Sequence, residues 1–110
     1  MASFGSASGA LECAVAIQRA VAGRADANLQ VHVGLNAGEP VAEEFDLFGT
    51  AVQLARRICD QAQGGEILAS DVVRQLAAGK GFLFGDRGEA TLKGFEEPIR
   101  LYDVRWRDLP

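Results

Sequence analysis

A glutamine and an arginine, Gln53 and Arg57, are the polar side chains whose spacing best suggests chemistry. They lie four residues apart in a predicted helix over residues 50–63, so both side chains project from one face. The amide could hold a ribose oxygen, and the guanidinium could donate two aligned hydrogen bonds to a phosphate. Judged from spacing alone, a solvated helix face is the commoner explanation, and that alternative stays open.

Two further side chains, Asp46 and Lys93, stand in predicted loops where they could contact a ligand. Asp46 lies between apolar neighbours, where a carboxylate can accept a hydrogen bond from an exocyclic amine such as that of adenine. Lys93 follows a predicted strand and could reach a triphosphate. The alternatives are an aspartate bonded to its own turn and a surface lysine beside a flexible turn.

The sequence predicts no metal site. His32 is the only histidine, and we expect it to be structural or solvent-exposed on the polar side of a strand. Glu43 and Glu44 form an acidic pair with no third ligand at a useful spacing. Cys13 and Cys59 form no C-x-x-C motif, so we expect two reduced thiols in a cytoplasmic protein.

Size and charge restrict the class of protein. The 110 residues predict a single domain over residues 1–110, and a hydrophobic content of 48% is enough to build a core. The formal net charge of −4 argues against non-specific binding to nucleic acid or to an anionic membrane. No apolar stretch approaches the roughly 18 residues of a membrane span. We therefore expect neither nucleic acid nor membrane as a partner.

Hydrophobic periodicity predicts an α+β domain with helices packed on a sheet. The predicted helices cover residues 10–22, 50–63 and 71–76, with Ser6 or Ser8 capping the first and Ser70 with Asp71 capping the last. Strands are predicted over residues 1–4, 29–37, 41–44, 66–69, 82–84, 89–92 and 99–106, with a turn at residues 86–88 joining two of them.

The strand over residues 29–37 has the clearest alternation. Its apolar positions predict a buried face, and the positions between them are polar or small: Gln30, His32, Gly34 and Asn36. The helix over residues 50–63 has an apolar stripe of its own, made by Ala51, Leu54, Ala55, Ile58 and Ala62.

Taken together, these segments resemble the class III adenylate/guanylate cyclase family. The resemblance covers essentially the whole chain, in the family's order and spacing. It is carried by residues 1–4 (MASF), 10–20 (ALECAVAIQRA), 31–39 (VHVGLNAGE), 48–57 (FGTAVQLARR), 64–68 (GGEIL), 85–88 (GDRG) and 92–98 (LKGFEEP).

The resemblance implies a ferredoxin-like cyclase fold, here truncated at its N-terminus, and a head-to-tail homodimer with active sites at the interface. It implies that ATP is converted to cAMP and pyrophosphate with Mg or Mn held by two aspartates. The segment that carries those aspartates in the family has no match in this chain. We therefore expect the chain to be inactive alone.

The resemblance also assigns roles to individual residues. Arg57 matches the family's transition-state arginine, and Gln53 stands where asparagine is usual. Asp46 matches the position that helps to select adenine over guanine, and Lys93 resembles the lysine that reaches the triphosphate. Asn36 stands where many bacterial members have histidine, and no role follows for it.

Two functions remain open at this point. In one, the chain supplies part of the active site of a longer adenylate cyclase. In the other, it is a non-catalytic cyclase-like module that dimerises with or regulates another cyclase chain in cyclic-nucleotide signalling. A generic ferredoxin-like binding domain is a weaker third possibility.

Overall fold

The structure is a computed structural model that describes residues 6–24, 30–37 and 50–108. Within these ranges helices pack on a mixed sheet of parallel and antiparallel strands, which confirms the predicted α+β class. In chain order they are α1 (Ala7–Ala22), β1 (Val33–Leu35), α2 (Thr50–Gln61), β2 (Ile67–Ser70), α3 (Asp71–Leu76), β3 (Phe84–Ala90) and β4 (Ile99–Val104), with a 3₁₀ helix at Trp106–Asp108. The strands predicted over residues 1–4 and 41–44 lie outside the described residues.

Four strands in the described ranges form one mixed sheet in the order β1-β2-β4-β3. β2 runs parallel to β1, with Val33 opposite Ile67, and antiparallel to β4, with Leu68 opposite Asp103. β3 pairs antiparallel with the other side of β4. Because β2 is central and covered on both faces, all four of its residues are buried.

Each face of the sheet carries its own apolar cluster. Ile67 and Ala69 of β2 point to one face and Leu68 to the other, because successive strand residues alternate. The first face is covered by α1 and α3, and its cluster comprises Leu11, Ala14, Val15, Ile67, Ala69, Val73, Ala77, Val104 and Trp106. The second is covered by α2, and its cluster comprises Ile58, Leu68, Leu92 and Leu101.

Helix α1 begins earlier than predicted because Ser6 caps it. The Ser6 Oγ accepts a hydrogen bond from the Gly9 N–H at 3.1 Å. The buried face of α1 includes one polar residue, Gln18, which is 2% exposed. The Gln18 Nε2 donates to the carbonyl oxygens of Val31 at 2.7 Å and Glu66 at 3.2 Å. This side chain therefore ties α1 to the segments that lead into β1 and β2.

The prediction of two strands joined by a turn at residues 86–88 is wrong. β3 is one strand with a bulge, in which Asp86 lies opposite Tyr102, Gly88 lies opposite Leu101, and Arg87 is the extra residue. The Asp86 Oδ1 accepts from the Gly88 N–H at 2.8 Å, and Gly88 has a φ of 87°. An Asp-x-Gly signal serves a bulge as well as a hairpin turn, because both need glycine at positive φ.

Cap and boundary predictions differ from the structure in smaller ways. Ser70 occupies the N-cap position of α3, but its hydroxyl makes no cap hydrogen bond. Asp71 instead accepts from the side chains of Arg74 at 2.9 Å and Gln75 at 2.6 Å. Helix α2 and strand β4 both end earlier than predicted.

Candidate functional site

Helix α2 carries Gln53 and Arg57, and two stripes of smaller or apolar residues seat it on the sheet. Leu54, Ile58 and Ala62 pack with the second cluster, which confirms that part of the predicted apolar stripe. A second set of contacts joins α2 to residues 32–36, where the helix backbone comes very close to β1.

The polar side of residues 31–37 faces the backbone of α2. Asn36 Nδ2 donates to the Ala51 carbonyl oxygen at 3.0 Å, and His32 Nδ1 lies 2.9 Å from the Cys59 carbonyl oxygen. Between them, a Cβ placed on Gly34 would lie 2.3 Å from the Cys59 nitrogen. These side chains therefore hold a helix, a role that their alternation along the strand does not reveal.

Gln53 and Arg57 lie on the side of α2 that is turned away from this strand. The helix turns by about 100° per residue, so a residue two positions from Ala51 or Ala55 points about 200° away from it. Gln53 is exposed, and the Arg57 side chain is 36% exposed. The two side chains therefore project from the same side of α2.

Arg57 is held by a partner that the sequence analysis did not identify. Its Nη1 lies 3.3 Å from the Asp60 Oδ2, one turn further along the helix. An exposed pair of this kind contributes about 0.2–1 kcal/mol, so a phosphate can replace the carboxylate at little cost. The spacing of three residues between Arg57 and Asp60 could have predicted this ion pair from the sequence, because residues at i and i+3 are neighbours on a helix surface.

Lys93 is linked to α2 through its neighbour Leu92. Leu92 is 2% exposed and belongs to the same buried cluster as Ile58, which adjoins Arg57 in the sequence. Lys93 itself is exposed, in a turn that Gly94 allows with a φ of 88°. The cluster thus joins the backbone segments that carry Arg57 and Lys93. The remaining candidate, Asp46, lies outside the described residues.

The described residues do not fit a site for Mg or Mn. No three histidine, cysteine, aspartate or glutamate side chains converge in the ranges 6–24, 30–37 and 50–108. The carboxylates there that form ion pairs face arginines instead: Asp60 with Arg57, Glu66 with Arg87, Asp71 with Arg74, and Asp86 and Glu89 with Arg100. Glu43 and Glu44 lie outside the described residues. We therefore assign no chemical step to a metal.

Glu66 fixes the segment between α2 and β2. Its carboxylate accepts from the Gln63 N–H at 2.7 Å and pairs with Arg87 at 3.2 Å. Partial burial by itself raises the pKa of Glu66. The hydrogen bonds from Arg87 and Gln63, together with the Arg87 charge, outweigh that effect and leave the pKa below its ordinary value. The segment that follows α2 is thereby anchored to the β3 bulge, in which Arg87 is the extra residue.

The sequence matches the family model described as the adenylate and guanylate cyclase catalytic domain over residues 6–105. This match covers most of the chain, and the sheet and flanking helices agree with it. The chain therefore belongs to the adenylate and guanylate cyclase catalytic domain family.

Individual relatives agree with this assignment. A putative adenylate cyclase 3 from Rhizobium meliloti is 35% identical over 105 residues, which are 90% of this chain and 18% of that protein. A pH-sensitive adenylate cyclase from Mycobacterium tuberculosis is 30% identical over 80 residues, which are 69% of this chain and 20% of that protein. The chain thus spans about a fifth of the length of these curated relatives.

Solved structures show the same fold. The adenylate/guanylate cyclase/hydrolase from Silicibacter pomeroyi superposes with a TM-score of 0.80 at 34% identity, covering 92% of this chain and 62% of that one. The catalytic core of a rhodopsin-guanylyl cyclase with converted specificity, in complex with ATPαS, gives a TM-score of 0.72 at 25% identity, covering 89% and 57%. Within the described ranges, no helix is long and apolar enough to cross a bilayer.

Proposed function

We propose that this chain supplies the nucleotide-holding part of an adenylate cyclase, which converts ATP to cAMP and pyrophosphate in the cytoplasm. The observation that carries the proposal is the orientation of α2. One side of this helix is fixed to the sheet, while the opposite side presents Gln53 and Arg57. Membership of the cyclase family and relatives named as adenylate cyclases support it.

In this proposal each side chain has a distinct task. Arg57 donates to oxygens of the phosphate on which negative charge grows as the ribose 3′-hydroxyl attacks and pyrophosphate leaves. The Gln53 amide holds the ribose, although it is one methylene longer than the asparagine usual in the family. Lys93 contacts the triphosphate, and Asp46 accepts from the adenine amine.

We further propose that the 110-residue chain forms a homodimer and makes no cAMP alone. The family resemblance implies two aspartates that bind Mg or Mn, and no residue of this chain matches them. Without such ions to neutralise the negative charge that grows on the phosphate, Arg57, Gln53 and Lys93 hold the nucleotide without turning it over.

Two assays on the purified chain test this function. The first measures cAMP by mass spectrometry after incubation with ATP and manganese. The second measures binding of a fluorescent ATP analogue, with competition by ATP and GTP, for the wild type and for Arg57→Ala and Lys93→Ala. Gln75→Ala is the matched control, because this exposed side chain lies on α3 and bonds only to Asp71 among the contacts described.

The expected result is no cAMP, ATP binding that is stronger than GTP binding, and roughly a tenfold or greater loss of affinity in Arg57→Ala, which removes a charge-assisted phosphate contact. Production of cAMP that Arg57→Ala abolishes would confirm the site and overturn the proposed inactivity. A folded protein that binds no ATP would refute the site and favour the non-catalytic module.

A further inference from the structure

The segment that holds α2 matches it in length as well as in chemistry. The carbonyls of Ala51 and Cys59 are two turns apart on the helix, a rise of about 12 Å. His32 and Asn36 flank the three residues of β1, and four positions of extended chain would rise by about 13 Å. Each of these two side chains therefore reaches one end of the helix, and the chain directions are opposed.

Gly34, midway between these contacts, allows the close approach. A Cβ at this position would lie 2.8 Å from the Ala55 carbonyl oxygen and within 2.6 Å of two backbone atoms of Cys59. Ala51, Ala55 and Cys59 are spaced by four residues, so they lie on one stripe of the helix, and this stripe faces residues 32–36. A helix in backbone contact cannot slide without losing the polar contact at each end.

The Asn36 hydrogen bond is not needed for the helix to form. In an α-helix the Ala51 carbonyl already accepts from the N–H four residues on, and Asn36 uses its second lone pair. Loss of this bond leaves the helical ladder intact but removes the contact that fixes the first turn against the strand. The expected result is a shift of α2 rather than unfolding.

We propose that Asn36 is a positioning residue that sets where α2 presents Arg57 and Gln53, with His32 as its counterpart at the other end of the helix. This inference rests on the proposed function, since it concerns the same nucleotide site. The effect of Asn36 reaches the ligand through Ala51 and the first turn of α2, which carry Gln53 and then Arg57. In this proposal Asn36 acts through α2 and not by touching the substrate.

A double-mutant cycle on ATP binding tests the inference. Asn36→Leu keeps the approximate shape and removes the donor, and Gln63→Leu makes the same change of type at an exposed site beyond α2. Asn36→Asp, which puts an acceptor against the Ala51 carbonyl, replaces Asn36→Leu if the latter does not fold. The affinity for ATP is measured for each variant in the wild-type background and again with Arg57→Ala.

We expect Asn36→Leu to weaken ATP binding roughly 3-fold to 10-fold in the wild type and by less than about 2-fold when Arg57 is absent, because its effect passes through that residue. Gln63→Leu should leave the affinity unchanged. An equal loss in both backgrounds, or no loss in a folded Asn36→Leu protein, overturns the inference.

A measurement without nucleotide separates this inference from the proposed function. The ¹³C resonance of the Ala51 carbonyl and the amide resonances of α2 are compared between wild type and Asn36→Leu. Positioning predicts changes that include Ala51 and extend along α2 while α1 and β4 keep their resonances. An unchanged Ala51 carbonyl overturns the inference. If the wild type binds no ATP, the proposed function fails and this comparison alone decides the role of Asn36.

Discussion

The Arg57 guanidinium and the Asp60 carboxylate lie 3.3 Å apart on neighbouring turns of α2. The group proposed to hold a phosphate therefore already holds a negative charge within its own helix. Any anionic ligand has to displace Asp60 from Arg57 or share the guanidinium with it. A phosphate that binds Arg57 therefore competes with the Asp60 carboxylate, and binding measurements can detect this competition.

Replacement of Asp60 by asparagine is expected to strengthen ATP binding by about 2-fold to 5-fold, the equivalent of removing one exposed ion pair that competes for Arg57. The free energy of unfolding should change by less than about 1 kcal/mol. Titration with a fluorescent ATP analogue at low salt measures the effect. Asp108→Asn, which removes the same charge at an exposed position outside α2, is the control. Weaker binding by Asp60→Asn would show that Asp60 orients Arg57 rather than competing for it.

Gly34→Ala is expected to lower the free energy of unfolding by about 2–4 kcal/mol, because the new methyl group meets backbone atoms that cannot rotate aside. Urea unfolding followed by the fluorescence of Trp106, the single tryptophan, measures the change. Gly9→Ala is the matched control, since its Cβ in α1 meets only the Ser6 hydroxyl, at 3.2 Å. That control should shift stability by no more than about 1 kcal/mol. Equal stability of Gly34→Ala and wild type would contradict the close packing of α2.

Glu66 should make stability depend on pH in the acid range. Its pKa is lowered in the folded protein, so its contribution is complete above the ordinary glutamate range and is lost as the pH falls through the folded pKa. Glu66→Gln is expected to cost about 0.5–1 kcal/mol at pH 7, and the difference from wild type should shrink as the pH falls below about 4.

Urea midpoints of wild type and Glu66→Gln between pH 7 and pH 3 check this expectation. Glu12→Gln, an exposed change on α1, controls for net charge. A stability difference that stays constant down to pH 3 would show that Glu66 acts through packing and not through its charge.

The chain is expected to associate in solution. In the described part of the chain, β1 and β3 end the sheet, and strands at sheet edges recruit other strands. Four large apolar side chains are also exposed there: Ile17, Val72, Leu76 and Leu83. Light scattering at about 0.1 mM, a concentration at which weak association is populated, should give the mass of a dimer or a larger species. A stable monomer would contradict the expectation.

The sequence predicted most helices and strands because their signals are local. The apolar period over residues 10–22 predicted α1, and Ser6 was one of the two serines predicted to cap it. The Asp-Arg-Gly segment was misread, since one local signal serves two backbone structures and only the pairing of β3 with β4 separates them.

The candidate site was predicted less completely, for a different reason. The positions of Gln53 and Arg57 on one helix follow from their spacing, but the contacts of Asn36 and His32 are with backbone carbonyls of α2. Carbonyl groups leave no pattern in a sequence, so periodicity shows a polar strand face and not what that face touches. The link between Lys93 and α2 likewise depends on Leu92 and Ile58 meeting in three dimensions.

The central place of β2 determines how the chain can fold. β2 pairs on one side with β1, which precedes it by a long stretch of sequence, as Val33 opposite Ile67 shows. On the other side it pairs with β4, which follows it by a similar stretch, as Leu68 opposite Asp103 shows. Two long loops must therefore close before its four buried residues gain their partners, and such non-local pairing slows folding. The β3–β4 ladder, joined by a short connection, can form first and offer β4 as a template. Until β2 docks, its apolar residues stay in water, so the refolding yield should fall steeply as protein concentration rises.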